Sequence, residues 1–145
     1  MTNAFRMTIG APADWGEIAK ANAAFAQFAE LHAVPPAVRR SLQIALDELL
    51  SNTILYGFEG EGKRKGKAII EAEVNHHRVI LRLTDDGRPF DPFGVTPPDA
   101  SLPLAKRRVG GLGIQLVRGL MDEVSYARRG DHNVVVLTKL LSGGR

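Results

Sequence analysis

Apolar positions along this chain repeat with two periods, and the switches between them divide it into strands and helices. Residues 4 to 9 (Ala-Phe-Arg-Met-Thr-Ile) alternate weakly and predict a short strand, broken at Gly10 to Pro12. Asp14 can cap a helix whose apolar positions include Trp15, Ile18, Ala19, Phe25, Phe28 and Leu31. Pro35-Pro36 opens a second helix, predicted to run to about Tyr56 and to end at Gly57. Residues 59 to 66, EGEGKRKG, predict a charged glycine-rich turn.

The period then changes from helical to alternating. Lys67 to Val74 puts Ala68, Ile70, Ala72 and Val74 on one side, and Val79 to Asp85 does the same with Val79, Leu81 and Leu83. Asn75-His76-His77 is the expected hairpin turn. Residues 86 to 110 hold five prolines and three glycines with no period, a loop long enough to suggest function or disorder. Gly111-Leu112-Gly113 opens a helix through Met121, and Glu123 to Arg128 with Asn133 to Leu140 predict a last hairpin around Arg129-Gly130-Asp131. Hairpin-linked strands and segregated helices argue for a single α+β domain over residues 1 to 145, with a mostly antiparallel sheet and helices on one face.

The stretch ALDELLSNTILYG, Ala45 to Gly57, disturbs its own pattern. Glu48 and Asn52 stack one turn apart, with Ile44 and Leu55 on one flank and Leu42, Ala45, Leu49 and Thr53 on the other. An unpaired buried carboxylate costs several kcal/mol, so a cation, a hydrogen-bond network or a water-filled pocket should accompany it. The bland alternative is a core helix whose Glu reaches solvent at the edge of the stripe.

Composition narrows the chemistry. With 44% apolar and 24% charged residues the chain has an ordinary globular composition. It has no cysteine, and its four histidines have no metal-ligand spacing, which argues against disulfides and a zinc enzyme. No apolar run approaches a membrane span and no signal peptide is visible, so the cytoplasm is the expected compartment. Net charge is +3, clustered at Lys63-Arg64-Lys65, Lys106-Arg107-Arg108 and Arg128-Arg129. Solvated loops explain these clusters first, a phosphate-bearing ligand second and nucleic acid third.

Two further signals join the Glu48/Asn52 pair. In LRLTDDG, Asp85 shares the core face with Val79, Leu81 and Leu83, and Asp86 faces the other way. A carboxylate there can accept from a ligand's exocyclic amine, and Gly87 would let a flat ring approach; a plain β-turn is the alternative. Gly110-Gly111-Leu112-Gly113 can turn free N–H groups and a positive helix end toward a phosphate. It matches neither the Walker loop nor the dinucleotide fingerprint.

Together the three resemble the GHKL ATPases, the superfamily of DNA gyrase, a heat-shock chaperone, histidine kinases and a mismatch-repair ATPase. Glu48-Leu-Leu-Ser-Asn52 resembles their N box, Asp85-Asp86-Gly87-Arg88-Pro89-Phe90-Asp91-Pro92 their first glycine box, and Gly111-Leu112-Gly113-Ile114 the second. The short length, the Pro-Phe-Asp-Pro run and the segment from Gly111 to Tyr126 resemble the anti-sigma factor and serine-protein kinase branch. The resemblance implies the family's two-layer α/β sandwich, with ATP and Mg²⁺ as cofactors. It implies Glu48 as general base, Asn52 as Mg²⁺ ligand and Asp85 on the adenine amine. Gly87 would lie beside the ring, and Gly111, Leu112 and Gly113 at the phosphates.

Residues 91 to 110 would be the ATP lid, with Lys106-Arg107-Arg108 adding charge over the phosphates. The implied function is an ATP-dependent serine kinase that phosphorylates an anti-anti-sigma antagonist and controls a sigma factor. The alternative is an ATP-binding anti-sigma adaptor with little catalysis. The implied partners are the sigma factor and the antagonist, with a possible homodimer through the N-terminal strand and first helix, and neither nucleic acid nor membrane. Pro89 and Val109 depart from the wider pattern, and a complete sensor histidine kinase is not expected.

Overall fold

The computed structural model describes residues 4–10, 15–54, 66–94 and 111–142. The expected cap at Asp14, the helix end at Tyr56 and Gly57, the turn at 59–65, and residues 95–110 with Lys106-Arg107-Arg108 lie outside these. Five strands, β1 (Ala4–Ile9), β2 (Ala68–Val74), β3 (Arg78–Asp85), β4 (Glu123–Arg129) and β5 (His132–Leu140), form one sheet in the order β1-β2-β3-β5-β4. Every neighbouring pair is antiparallel. Among the described residues three α-helices, α1 (Trp15–Leu31), α2 (Pro36–Asn52) and α3 (Gly111–Leu120), pack with the sheet.

Strand alternation decides which face they cover. Ala68, Ile70, Val79, Leu81, Val135 and Leu137 are buried, whereas their opposite-parity neighbours Glu73, Arg78, Arg82 and His132 are exposed. The buried set merges with Phe25, Leu42, Leu46, Leu50, Ile114 and Val117 from the helices into one core. At about 25 cal/mol per Å² this apolar burial is the main favourable term holding the layers together. The α+β sandwich with helices on one face is therefore the observed architecture.

Local chemistry fixes the connections. The α1 terminus is a Schellman turn: the Val34 N–H donates to the Ala29 carbonyl (2.9 Å) and the Ala33 N–H to the Glu30 carbonyl (3.0 Å). Ala33 takes the left-handed conformation, φ 58°, usually occupied by glycine. The Asn75 carboxamide oxygen closes the β2–β3 turn by accepting from the His77 N–H (2.8 Å) and the Arg78 N–H (3.0 Å). Gly130 supplies the positive φ, 58°, of the β4–β5 turn. Three apolar residues of the helices face outward: Trp15 (56% exposed), Leu31 (83%) and Leu116 (47%). The sequence pattern misses a short 3₁₀ turn at Pro92–Gly94.

Candidate functional site

Helix α2 carries Glu48 and Asn52 at the boundary of its buried stripe. Leu42, Ala45, Leu46 and Leu49 are buried, but Ile44 is 41% exposed, so the stripe is narrower than its sequence suggests. Glu48 sits half-buried at its edge, while Asn52, one turn further, is 5% exposed. The Thr53 N–H reaches the carbonyls of both Leu49 and Leu50, and its hydroxyl also donates to Leu49 (3.1 Å), which closes the described part of the helix.

Asn52 opens onto a pocket whose apolar walls are Leu49, Leu83, Phe90, Pro92 and Val135. Its polar groups are Asn52, Thr53, Asp85 and Asn133. Asp85 reaches it because strand parity points it inward with Leu83. One of its oxygens, Oδ1, accepts from the Gly87 N–H and from the Asn133 amide, both at 2.9 Å. Burial raises the Asp85 carboxyl above the usual carboxylate range; the hydrogen bonds from Asn133 and Gly87 and the nearby Arg128 oppose that rise, and Asp86 adds to it. Asp86 faces away and accepts from the Lys67 N–H (2.8 Å). Gly87 is not part of the pocket wall. It shapes the turn, its carbonyl accepting from Arg128 (2.8 Å).

The start of α3 meets the other end of the pair. A methyl group placed on Gly113 would overlap the Glu48 carboxylate, so the absence of a Cβ lets this turn close on Glu48 where that side chain stands. Gly111 and Leu112 lie in the same first turn of α3. On its other side Glu48 borders an open groove between α1 and α2, lined also by Trp15, Asn22, Arg40, Ile44 and Asp47.

Glu48, Asn52, Asp85 and Gly113, from three separate stretches of sequence, thus converge along α2, and Gly87, Gly111 and Leu112 flank them. The pocket end offers an acceptor carboxylate beside apolar walls, which suits the edge of a heteroaromatic base. The α3 end offers a helix N-terminus with glycine clearance, which suits phosphate. Among the described residues no three His, Cys, Asp or Glu side chains cluster as metal ligands. Asn52 suits a Mg²⁺ held mostly by ligand phosphates and water.

Sequence reasoning missed Asn133, Tyr126 and Arg118. Asn133 is 3% exposed and lies on the inward parity of Val135 and Leu137, a visible but unused signal. Arg118 donates to the Phe93 carbonyl (2.6 Å) and lies 5.3 Å from its ring centre, tying the 3₁₀ turn to α3.

A sequence model described as a histidine kinase-like ATPase domain matches residues 11–139. The serine-protein kinase RsbW of Listeria monocytogenes serovar 1/2a is 31% identical over 106 residues, covering 70% of this chain and 65% of that protein. The chain thus spans just under two thirds of that relative. The serine/threonine-protein kinase BtrW of Bordetella bronchiseptica is 28% identical over 101 residues, 70% of each chain. Among solved structures, that of the RsbU and RsbW domains of a Mycobacterium tuberculosis protein aligns with TM-score 0.64 at 13% identity, over 94% of this chain and 32% of that one. The likeness at that identity concerns the fold.

Proposed function

The chain belongs to the histidine kinase-like ATPase family, and from that premise we propose that it is an ATP-dependent serine kinase acting on a partner protein. The observation that carries this reading is the contact between Glu48 and Gly113, with Asn52 and the Asp85 pocket one turn along α2. A carboxylate at the phosphate-facing helix start is suited to proton abstraction.

In this reading Asp85 accepts from the adenine amine, and the backbone N–H groups of Gly111, Leu112 and Gly113 face the phosphates. Asn52 would hold Mg²⁺, which would supply positive charge to offset that of the phosphates. Glu48 takes the proton of the serine hydroxyl as its oxygen bonds to the γ-phosphorus and the bond to the bridging oxygen of ADP breaks. The groove beyond Glu48 would admit the acceptor, and its exposed Trp15 and Ile44 favour a protein over a small molecule. The kinases RsbW and BtrW among its relatives support a serine acceptor.

By the anti-sigma resemblance, the acceptor would be an anti-anti-sigma antagonist and the controlled partner a sigma factor, in the cytoplasm. Among the described residues no helix is long and apolar enough to cross a membrane. Strand β1 ends the sheet and packs with α1, the surface such a protein would use to pair with a second copy.

Transfer of label from γ-labelled ATP to a candidate antagonist tests the reading. Asn52→Ala should weaken Mg-ATP binding, whereas Glu48→Gln should keep ATP and lose transfer. Normal phosphorylation by Glu48→Gln would refute the base assignment. Absent transfer by the unsubstituted chain, with partner binding intact, would favour the non-catalytic adaptor.

A further inference from the structure

Asn133 is the most completely engaged side chain of the pocket. Its amide nitrogen donates to Asp85 Oδ1 (2.9 Å) and to the Arg88 carbonyl (2.8 Å). Its oxygen accepts from the Phe90 N–H (3.2 Å) and from the Tyr126 hydroxyl (2.6 Å). A carboxamide has two donor and two acceptor positions, and all four are used within the protein. Turning the amide over would set its oxygen against two acceptors and its nitrogen against an N–H donor, so the partners fix its orientation. Nothing is left on Asn133 for a ligand.

The consequence falls on Asp85. Its Oδ1 is held by two N–H donors, from Gly87 and Asn133. Its Oδ2 has no donor among the described residues. Asn133 also fixes the turn carrying Phe90, a wall of the same pocket. We propose that Asn133, braced by Tyr126, is the positioning residue that presents Asp85 Oδ2 as a pure acceptor and so selects a 6-amino over a 6-oxo purine. This rests on the reading of the pocket as the base site. Adenine offers an N–H there, whereas hypoxanthine or guanine would bring a carbonyl against a carboxylate.

The same network predicts a pH effect. The groups that act on the Asp85 carboxylate are its bonded partners Asn133 of β5 and Gly87, the neighbouring charge of Asp86 on its own segment, and Arg128 of β4, while Tyr126 of β4 reaches it only through Asn133. Ionised Asp85 accepts the amine, and a proton on Oδ2 abolishes that, so affinity falls as pH drops through the raised Asp85 value. The Asn133 bond opposes that rise, so removing it moves the acid limb to higher pH.

The test measures ATP and inosine triphosphate affinity, with Mg²⁺, across pH on the full chain. Four proteins are compared: unsubstituted, Asn133→Ala, Tyr126→Phe and Asp85→Asn. The unsubstituted chain should prefer ATP. Asn133→Ala should lose about tenfold in ATP affinity, the typical effect of one hydrogen bond to a charged group. Its affinity for inosine triphosphate should not fall in parallel, and its acid limb should move up. Tyr126→Phe should change both in the same direction by a smaller factor, and it decides the matter should Asn133→Ala unfold. Asp85→Asn keeps its carbonyl on the Gly87 and Asn133 donors and turns its NH₂ into the pocket, so its preference should reverse. Unchanged preference and acid limb in folded Asn133→Ala and Tyr126→Phe would overturn the role of Asn133, while a reversal in Asp85→Asn kept the base site standing. Unchanged preference in Asp85→Asn would remove the base-site reading itself, and the inference with it.

Discussion

At the scale of single residues, Gly113 is where two requirements collide. Alanine is favoured over glycine by up to about 1 kcal/mol in a helix, so helix propensity alone asks for Ala. The Cβ it would add runs into the Glu48 carboxylate. That carboxylate is the far end of a flexible, half-buried side chain, so the fold can absorb the clash by moving Glu48. The expected outcome for Gly113→Ala is stability within about 1 kcal/mol of the parent, since the two effects offset. Transfer to the acceptor should nevertheless fall by at least about tenfold, because small displacements of a proton acceptor are severely penalised. Thermal unfolding and label transfer on one preparation check both; full activity in a stabilised variant would mean that Gly113 merely starts a helix.

Among the elements, α1 shows how local geometry and sequence part company. Its end is a Schellman turn by both hydrogen bonds, yet the left-handed position holds Ala33 rather than glycine. Ala33→Gly should therefore raise stability by about 0.5–1 kcal/mol, the relief of the left-handed strain less the extra entropy glycine has when unfolded. Denaturant unfolding would read this as a higher midpoint at unchanged slope. The elements themselves were legible because each apolar period is local: alternation gave β2 and β3 to within a residue, and Gly130 marked the last turn. Trp15, Leu31 and Leu116 face outward although they are apolar residues of helices, because helical spacing shows which residues share a face, not whether anything covers that face. Asn133 was illegible for a different reason. Its inward parity could be counted, but its value lies in sitting opposite Asp85, and that register joins strands far apart in sequence.

The whole molecule assembles its site across the sheet order β1-β2-β3-β5-β4, in which β5 lies between β3 and β4. Asp85 at the end of β3, Asn133 at the start of β5, and the α2–α3 contact at Glu48 and Gly113 coincide only in the folded chain. The polar pair on α2 was legible because polarity inside an apolar stripe must be compensated, and the two glycine-bearing motifs supplied candidates for the compensation. Their spacing in three dimensions was not legible, since no local period encodes it. A site that exists only on folding couples ligand binding to stability. Mg-ATP at about 100 times its dissociation constant should stabilise by about 2.7 kcal/mol, which for a domain of this size raises Tm by about 5–10 °C. Asn52→Ala should lose most of that rise at the same ATP concentration while melting near the parent temperature without nucleotide. The competing view, that the positive charge serves nucleic acid, makes the opposite pair of claims. RNA would raise Tm, that rise would collapse between low and moderate salt as counterions compete, and Mg-ATP would leave the melt unmoved. A nucleotide shift that survives moderate salt and depends on Asn52 places the chain's function in the cleft along α2 rather than on its basic surface.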